Sequence, residues 1–212
     1  MQLKPYLTVK QSANDEFVEK KSRFIGYVCP VDTEQDAIDF VNSIKKRHAD
    51  ARHNVYAYVV REGNKQRYSD DGEPQGTAGM PVLEVLLKEG LTDCAVVVTR
   101  YFGGILLGTG GLTRAYTRGA KIAVDAGIKV EMTPCRVCSL VCGYDMLETV
   151  RNLIEREGAV VTDVEYTDKV CVNFYSKTEL CENIRKQLAE ATAGRVDFQI
   201  NSEKYMPIEI NI

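Results

Sequence analysis

Residues 94–100, CAVVVTR, are apolar with hardly a break near the middle of the chain. A half-buried strand alternates apolar and polar side chains, so a continuous run predicts a strand packed on both faces. Within the following eleven residues come five glycines, Gly103, Gly104, Gly108, Gly110 and Gly111. The sequence GLTRAYTRGAKIAVDAG then reads as a helix that stops at Gly127. Its Ala115, Gly119, Ile122 and Ala126 form a small-residue stripe, which predicts close approach to a sheet.

Residues 21–31 read as a strand closed by Pro30. Thr33 and Asp36 carry the spacing of a capping box, and Ala37, Val41, Ile44 and His48 then recur at helical spacing. NVYAYVVREGNKQRYS reads as a hairpin turning at Glu62-Gly63-Asn64-Lys65, with Val55, Ala57 and Val59 on one face. A helix follows with Pro81 in its first turn and Gly90 just beyond its end. From about Thr133 the order becomes β-α-β-β-α-β, with Gly158 and Gly194 as helix stops and Thr178 as a cap. The predicted class is α+β in two domains, residues 1–133 and 134–212.

Composition excludes several classes. No apolar run approaches the roughly 18–20 residues that span a bilayer, and the first residues lack a signal-like stretch, so no membrane partner is expected. Seven cysteines without an export signal predict reduced thiols and a cytoplasmic chain. The net charge of −3 excludes a globally basic nucleic-acid binder. Split at Thr133, the first part carries 18 Lys+Arg against 17 Asp+Glu, and the rest 9 against 13. A polyanion would therefore meet a local patch on the first part.

The glycine-rich stretch fits no nucleotide fingerprint. A dinucleotide motif starting at Gly108 needs glycine where Thr113 stands, and a P-loop needs Gly-Lys-Ser/Thr after its glycines. Two readings remain: a tight turn for close packing, or an anion site made of backbone N–H groups at a helix start. Arg114, Arg118 and Lys121 fall at i, i+4 and i+7 on one face, with no carboxylate until Asp125, and Arg100 is expected to point the same way. That pattern suits a phosphate-contacting stripe or a solvated helix face. Asp70, Asp71 and Glu73 form a carboxylate cluster that lacks the EF-hand ligand spacing. With His53 they offer acid–base chemistry; alone they suit an Asx turn before a helix. Cys135, Cys138 and Cys142 lack a second ligand pair for zinc, and neither metal nor cofactor is expected.

SDDGEPQGTAGMPVLEVL followed by VVVTRYFGGILLGTGGLTRAY closely resembles the signature of the IMPACT family, whose bacterial branch is called YigZ. KKSRFIGYVCPV and HNVYAYVV look like further family positions. The resemblance implies a ribosomal-protein-S5 domain 2-like fold for the first domain. It implies a ferredoxin-like second domain, similar to the C-terminal domain of elongation factor G. The two folds occur consecutively in that ribosome-contacting factor, and the resemblance supplies no catalytic residue. Eukaryotic relatives regulate translation during amino-acid starvation by competing for an activator of a stress kinase. They carry a further N-terminal domain, for which the residues before Lys21 leave no room.

The expected function is that of a non-enzymatic protein binding RNA or a ribosome-associated surface, with a role in regulating translation. Arg100, Arg114, Arg118 and Lys121 would contact phosphates, and Gly103, Gly104, Gly108, Gly110 and Gly111 would allow close backbone approach. The alternatives are a small-molecule enzyme using Asp70, Asp71, Glu73 and His53, and a protein-interaction module.

Overall fold

The apolar run becomes the middle strand of a five-stranded sheet. A computed structural model describes residues 4–209. Contacts divide the chain into two units, one built on Tyr6–Glu131 and one on Met132–Pro207. The first unit runs β1 (Tyr6–Val9), β2 (Ala13–Glu19), β3 (Ser22–Pro30), α1 (Glu34–Arg47), β4 (His53–Val60), β5 (Lys65–Ser69), α2 (Gly79–Lys88), β6 (Cys94–Tyr101) and α3 (Thr109–Ala126). Its sheet has the order β2-β3-β6-β4-β5, and every neighbouring pair is antiparallel.

Side chains alternate across β6, and both sides are covered. Cys94, Val96 and Val98 join the core beneath α2 and α3, together with Val55, Ala57 and Val59 of β4. Ala95 and Val97 join the smaller clusters beneath α1, with Ala37, Val41 and Ile44. Each buried valine contributes about 1.5–3 kcal/mol.

Local signals act where they were read. Thr33 Oγ1 accepts from the Asp36 amide at 3.2 Å, and Asp36 Oδ2 accepts from the Thr33 amide at 2.9 Å, closing the capping box. His48 departs from the helical reading: it is the C-cap of α1, its ring between Tyr27 and Tyr101. Close helix–sheet approach centres on Gly119, where a Cβ would lie 2.7 Å from Val98 Cγ1. Ile122 and Ala126 are only half-buried, because the contact face follows Leu112, Ala115, Tyr116, Gly119 and Ala123. Gly127 ends α3 with an ordinary φ of −73°, while Ile128 takes the left-handed conformation at +60°. Glycine is needed at 127 for space, since a Cβ there would meet Val28 Cγ1 at 2.7 Å.

The second unit follows with β7 (Lys129–Cys142), α4 (Leu147–Arg156), β8 (Val160–Tyr166), β9 (Val170–Lys177), α5 (Cys181–Ala191) and β10 (Asp197–Glu209). β9 lies between β7 and β8, antiparallel to both, and β10 pairs with β7. Its core is apolar and thiol-rich, with Cys138, Leu140, Cys142, Val172, Phe174, Cys181 and Leu188 packed together. Cys138 Sγ lies 3.7 Å from Cys181 Sγ, and burial, reinforced by that neighbour, pushes the Cys138 thiol up to about 12.

Candidate functional site

The sheet register brings the site together. His53 opens β4 opposite Arg100 of β6, and Arg100 faces Phe24 of β3 on its other side. Arg100 was expected at the surface beside the α3 arginines. It is instead 5% exposed, because the last residues of a central strand remain inside the sheet. Its Nη1 donates to Glu73 Oε1 at 2.6 Å, and Nη2 lies 3.5 Å from Ser22 Oγ. The guanidinium carbon sits 5.5 Å from the ring centroids of both Phe24 and Phe102. Its Nε is buried without a protein partner.

Glu73 Oε1 also accepts from Tyr116 Oη of α3 at 2.8 Å. Burial, then the Glu73 charge, pushes the Tyr116 hydroxyl far above its usual range, so it remains a donor. His53 Nδ1 is 2.8 Å from the Asp71 carbonyl oxygen, which can only accept, so this nitrogen carries the proton. Nε2 is then the basic nitrogen, 3.7 Å from Glu73 Oε1.

The three clustered carboxylates separate. Asp70 turns back to accept from the amides of Gly76, Ala78 and Gly79, capping α2 from outside its own N-cap position. Asp71 accepts from the Asn54 amide and pairs with Lys45 Nζ, both at 2.7 Å. Of the three carboxylates only that of Glu73 comes within 4 Å of the His53 ring nitrogens; Asp71 meets the ring through its backbone carbonyl. The left-handed turn at Asp71 and Gly72, φ +46° and +86°, sends the side chains apart. The proposed quartet is therefore a pair plus two structural groups.

A cleft of about 450 Å³ opens beside this network. Arg52, His53, Glu73 and Arg100 line it, with Phe102, Leu106, Leu107 and Leu112 among the apolar residues. The glycines of the loop do different work. Gly103 sits where a Cβ would meet the Lys21 backbone carbon at 2.0 Å, and its amide donates to Ser22 Oγ at 3.2 Å. Gly104 and Gly108 take positive φ, +82° and +72°, and Gly108 is the N-cap of α3. Gly110 and Gly111 lie in the first turn, before the first helical bond, which Leu112 makes to Gly108.

Leu107 also lines a second depression, a groove of about 240 Å³ with Phe17, Glu19, Lys20, Gly111, Arg114 and Arg118. Arg114 and Arg118 are exposed, as expected, and among the described residues neither has a carboxylate partner within 4 Å. Arg118 lies 4.3 Å over the Phe17 ring. Lys121 differs from expectation: it pairs with Asp125 at 2.6 Å and Glu89 at 3.2 Å, carboxylates from its own helix and the end of α2.

Several participants escaped the sequence reading. Ser22 and Tyr116 meet the site through long-range contacts, although Tyr116 is the lone hydroxyl-bearing aromatic in an apolar helix stripe, while Arg52 and Phe102 lie beside His53 and Arg100 in the sequence. Lys20 and Lys21 form the two-residue turn between β2 and β3 with φ of +43° and +65°. Such a turn ordinarily takes Asn-Gly, a bias that hid two lysines from recognition. Among the described residues no group of three or more His, Cys, Asp or Glu could hold a metal ion. No described helix is long and apolar enough to cross a membrane.

Comparison with known proteins follows this division. The Impact N-terminal domain matches residues 20–124, and a domain of unknown function (DUF1949) matches residues 140–195. The IMPACT family member YvyE of Bacillus subtilis is 38% identical over 210 residues, covering 99% of this chain and 97% of its own. YigZ of Escherichia coli is 35% identical over 193 residues, 90% of this chain and 91% of that protein. A crystal structure described only as that of a hypothetical protein aligns with a TM-score of 0.59 at 31% identity, covering 95% of this chain and 99% of that one. The Protein IMPACT homolog of Dictyostelium discoideum matches 42% of this chain but 27% of its own length, at 38% identity. With bacterial relatives aligned almost end to end, this chain belongs to the IMPACT family.

Proposed function

We propose that the protein binds single-stranded RNA, on its own or on a ribosomal surface, through the groove at the start of α3, and so acts in the control of translation in the cytoplasm. The observation that carries this reading is the groove's charge. Arg114 and Arg118 are exposed and uncommitted, with Phe17 beneath Arg118 and Lys20 across from them; Glu19 is the groove's single carboxylate. Lys20 reaches the groove from a turn that it forms with Lys21. Non-glycine residues in left-handed backbone cost about 1–2 kcal/mol each, and strained residues concentrate at functional surfaces. Lys20 thus brings its charge to the groove from backbone that a lysine adopts at a cost. The Phe17 ring is stacked on Phe24 and covered by Arg118, so the groove offers cations to phosphates and no open ring to a base.

We propose a ribosomal-protein-S5 domain 2-like fold for the first domain and a ferredoxin-like fold for the second. The placement of β9 between β7 and β8, the pairing of β10 with β7 and the β-α-β-β-α-β sequence support the latter. Binding of an unstructured oligoribonucleotide, measured against salt, tests the function. About three phosphate contacts give a slope near −2 in log affinity against log salt. Absence of binding, or binding indifferent to salt, contradicts it.

A second reading, an enzyme, draws on one feature. His53 has Nδ1 held by the Asp71 carbonyl and Nε2 turned to Glu73 at the cleft, the arrangement of an oriented general base. It requires turnover that His53→Gln abolishes while the thermal transition is retained. An interaction module without nucleic acid would show neither salt-dependent RNA binding nor turnover.

A further inference from the structure

We infer that the cleft beside the Arg100–Glu73 pair is a pocket for a guanine base, whose N1–H and N2 amino donors meet Glu73 Oε2 and His53 Nε2. This pocket is separate from the groove, and the inference does not rest on RNA binding there.

Two acceptors on the cleft wall lack donors. Arg100 Nη1 and Tyr116 Oη both donate to Oε1 of Glu73, and no donor among the described residues reaches Oε2. Among the described residues the only fully buried side-chain polar atom without a partner is Arg100 Nε. Oε2 is therefore not sealed inside the protein, and it opens on the cleft that Glu73 lines. The Glu73 side chain is nevertheless just 4% exposed, so this oxygen sees little water. His53 repeats the pattern on the same wall. Its Nδ1 donates to the Asp71 carbonyl, which leaves Nε2 an acceptor without a donor, 3.7 Å from Glu73 Oε1. A carboxylate oxygen with few waters is costly unless bonded, and a neutral imidazole nitrogen without a proton can only accept.

Charge and shape narrow the ligand. Arg100 already offsets Glu73, and Arg52 adds a positive charge held over Phe102 rather than by a carboxylate. An ammonium or guanidinium donor would meet that excess, so the acceptors suit a neutral N–H group. Guanine alone among the four bases carries two adjacent donors on one edge. Adenine and cytosine set their amino group beside a ring acceptor, and uracil holds one N–H between two carbonyls. The remaining wall includes Pro74, Leu107 and Leu112, apolar surface for the faces of a flat ring. A cleft of about 450 Å³ accommodates a nucleoside. A free guanine nucleotide and a guanine within an RNA strand share this chemistry.

The test is an NMR titration of the full chain with guanosine, inosine, N1-methylguanosine and adenosine, followed at the His53 ring nitrogens and the Gly72 amide. Guanosine is expected to shift these resonances saturably. Inosine lacks the amino group and should bind about tenfold more weakly. N1-methylguanosine, blocked at the ring donor, and adenosine should each lose at least about tenfold, since both leave buried acceptors unpaired. His53→Phe keeps a ring, removes the acceptor and should weaken guanosine binding about tenfold in a variant that still unfolds cooperatively. The nucleoside series on the parent chain decides the matter even if that variant does not fold. Tighter binding of UpGpU than of guanosine 5′-monophosphate, read at the same resonances, assigns the base to an RNA strand; the reverse assigns it to a free nucleotide. The proposal is overturned if saturating guanosine leaves the His53 and Gly72 resonances in place, or if adenosine and N1-methylguanosine bind as guanosine does. A folded His53→Phe that binds guanosine as the parent does overturns it as well.

Discussion

The two sides of the loop at residues 102–108 use the same residue type in opposite ways. On the cleft side Arg100 is buried, paired with Glu73 and stacked between aromatic rings. On the groove side Arg114 and Arg118 are exposed and hold no carboxylate. Energy separates them further. A buried pair is part of the fold, because losing one partner strands the other's charge away from water. An exposed, unpaired arginine adds almost nothing to stability and remains available to a ligand. The difference teaches that one helix start borders two depressions, one walled by a buried ion pair and the other by arginines without carboxylate partners.

The largest effect should follow Glu73→Ala, which strands Arg100 and leaves Tyr116 without an acceptor. Denaturant unfolding should show a loss of about 3–5 kcal/mol. A loss below about 1 kcal/mol would place the cleft side in the same class as the groove. Next comes the turn between β2 and β3. Replacing Lys20-Lys21 by Asn-Gly should raise stability by roughly 1–2 kcal/mol, since these residues accept the left-handed backbone, and should weaken RNA binding. A gain in stability with unchanged RNA affinity would remove the turn from the binding surface.

A smaller effect concerns His48, away from both surfaces. Tyr101 Oη donates to Asp50, so it accepts from His48 Nδ1–H, and His48 Nε2 accepts from Tyr27 Oη at 2.6 Å. Burial first, then the Arg47 charge, holds its pKa below the ordinary 6.5, against an opposing pull from Asp50. Below about pH 6.5 the unfolded chain takes up this proton more readily than the folded one. Stability therefore falls as pH drops through that value toward the folded pKa. His48→Gln should flatten this part of the thermal-transition profile; an unchanged profile would show that other groups set it.

Legibility followed distance along the chain. The capping box at Thr33 and Asp36, the doubly covered strand at residues 94–100 and the inward face of Val55, Ala57 and Val59 rest on neighbours a few residues apart. All could be read directly. Arg100 could not, because its partner Glu73 lies 27 residues away and reaches it only through the sheet and the loop after β5. Adjacency misled in the other direction at Asp70, Asp71 and Glu73, where a left-handed turn sends neighbouring carboxylates to three different partners. Lys121 fell to the same limit, since Glu89 comes from another helix.

The central claim is that the groove arginines bind and do not build. Its most direct measurement pairs RNA affinity with thermal unfolding for Arg114→Glu/Arg118→Glu. The account predicts that binding of an unstructured oligoribonucleotide is lost while stability stays within about 0.5 kcal/mol of the parent. An unfolded variant, or a folded one that binds RNA as the parent does, would contradict it.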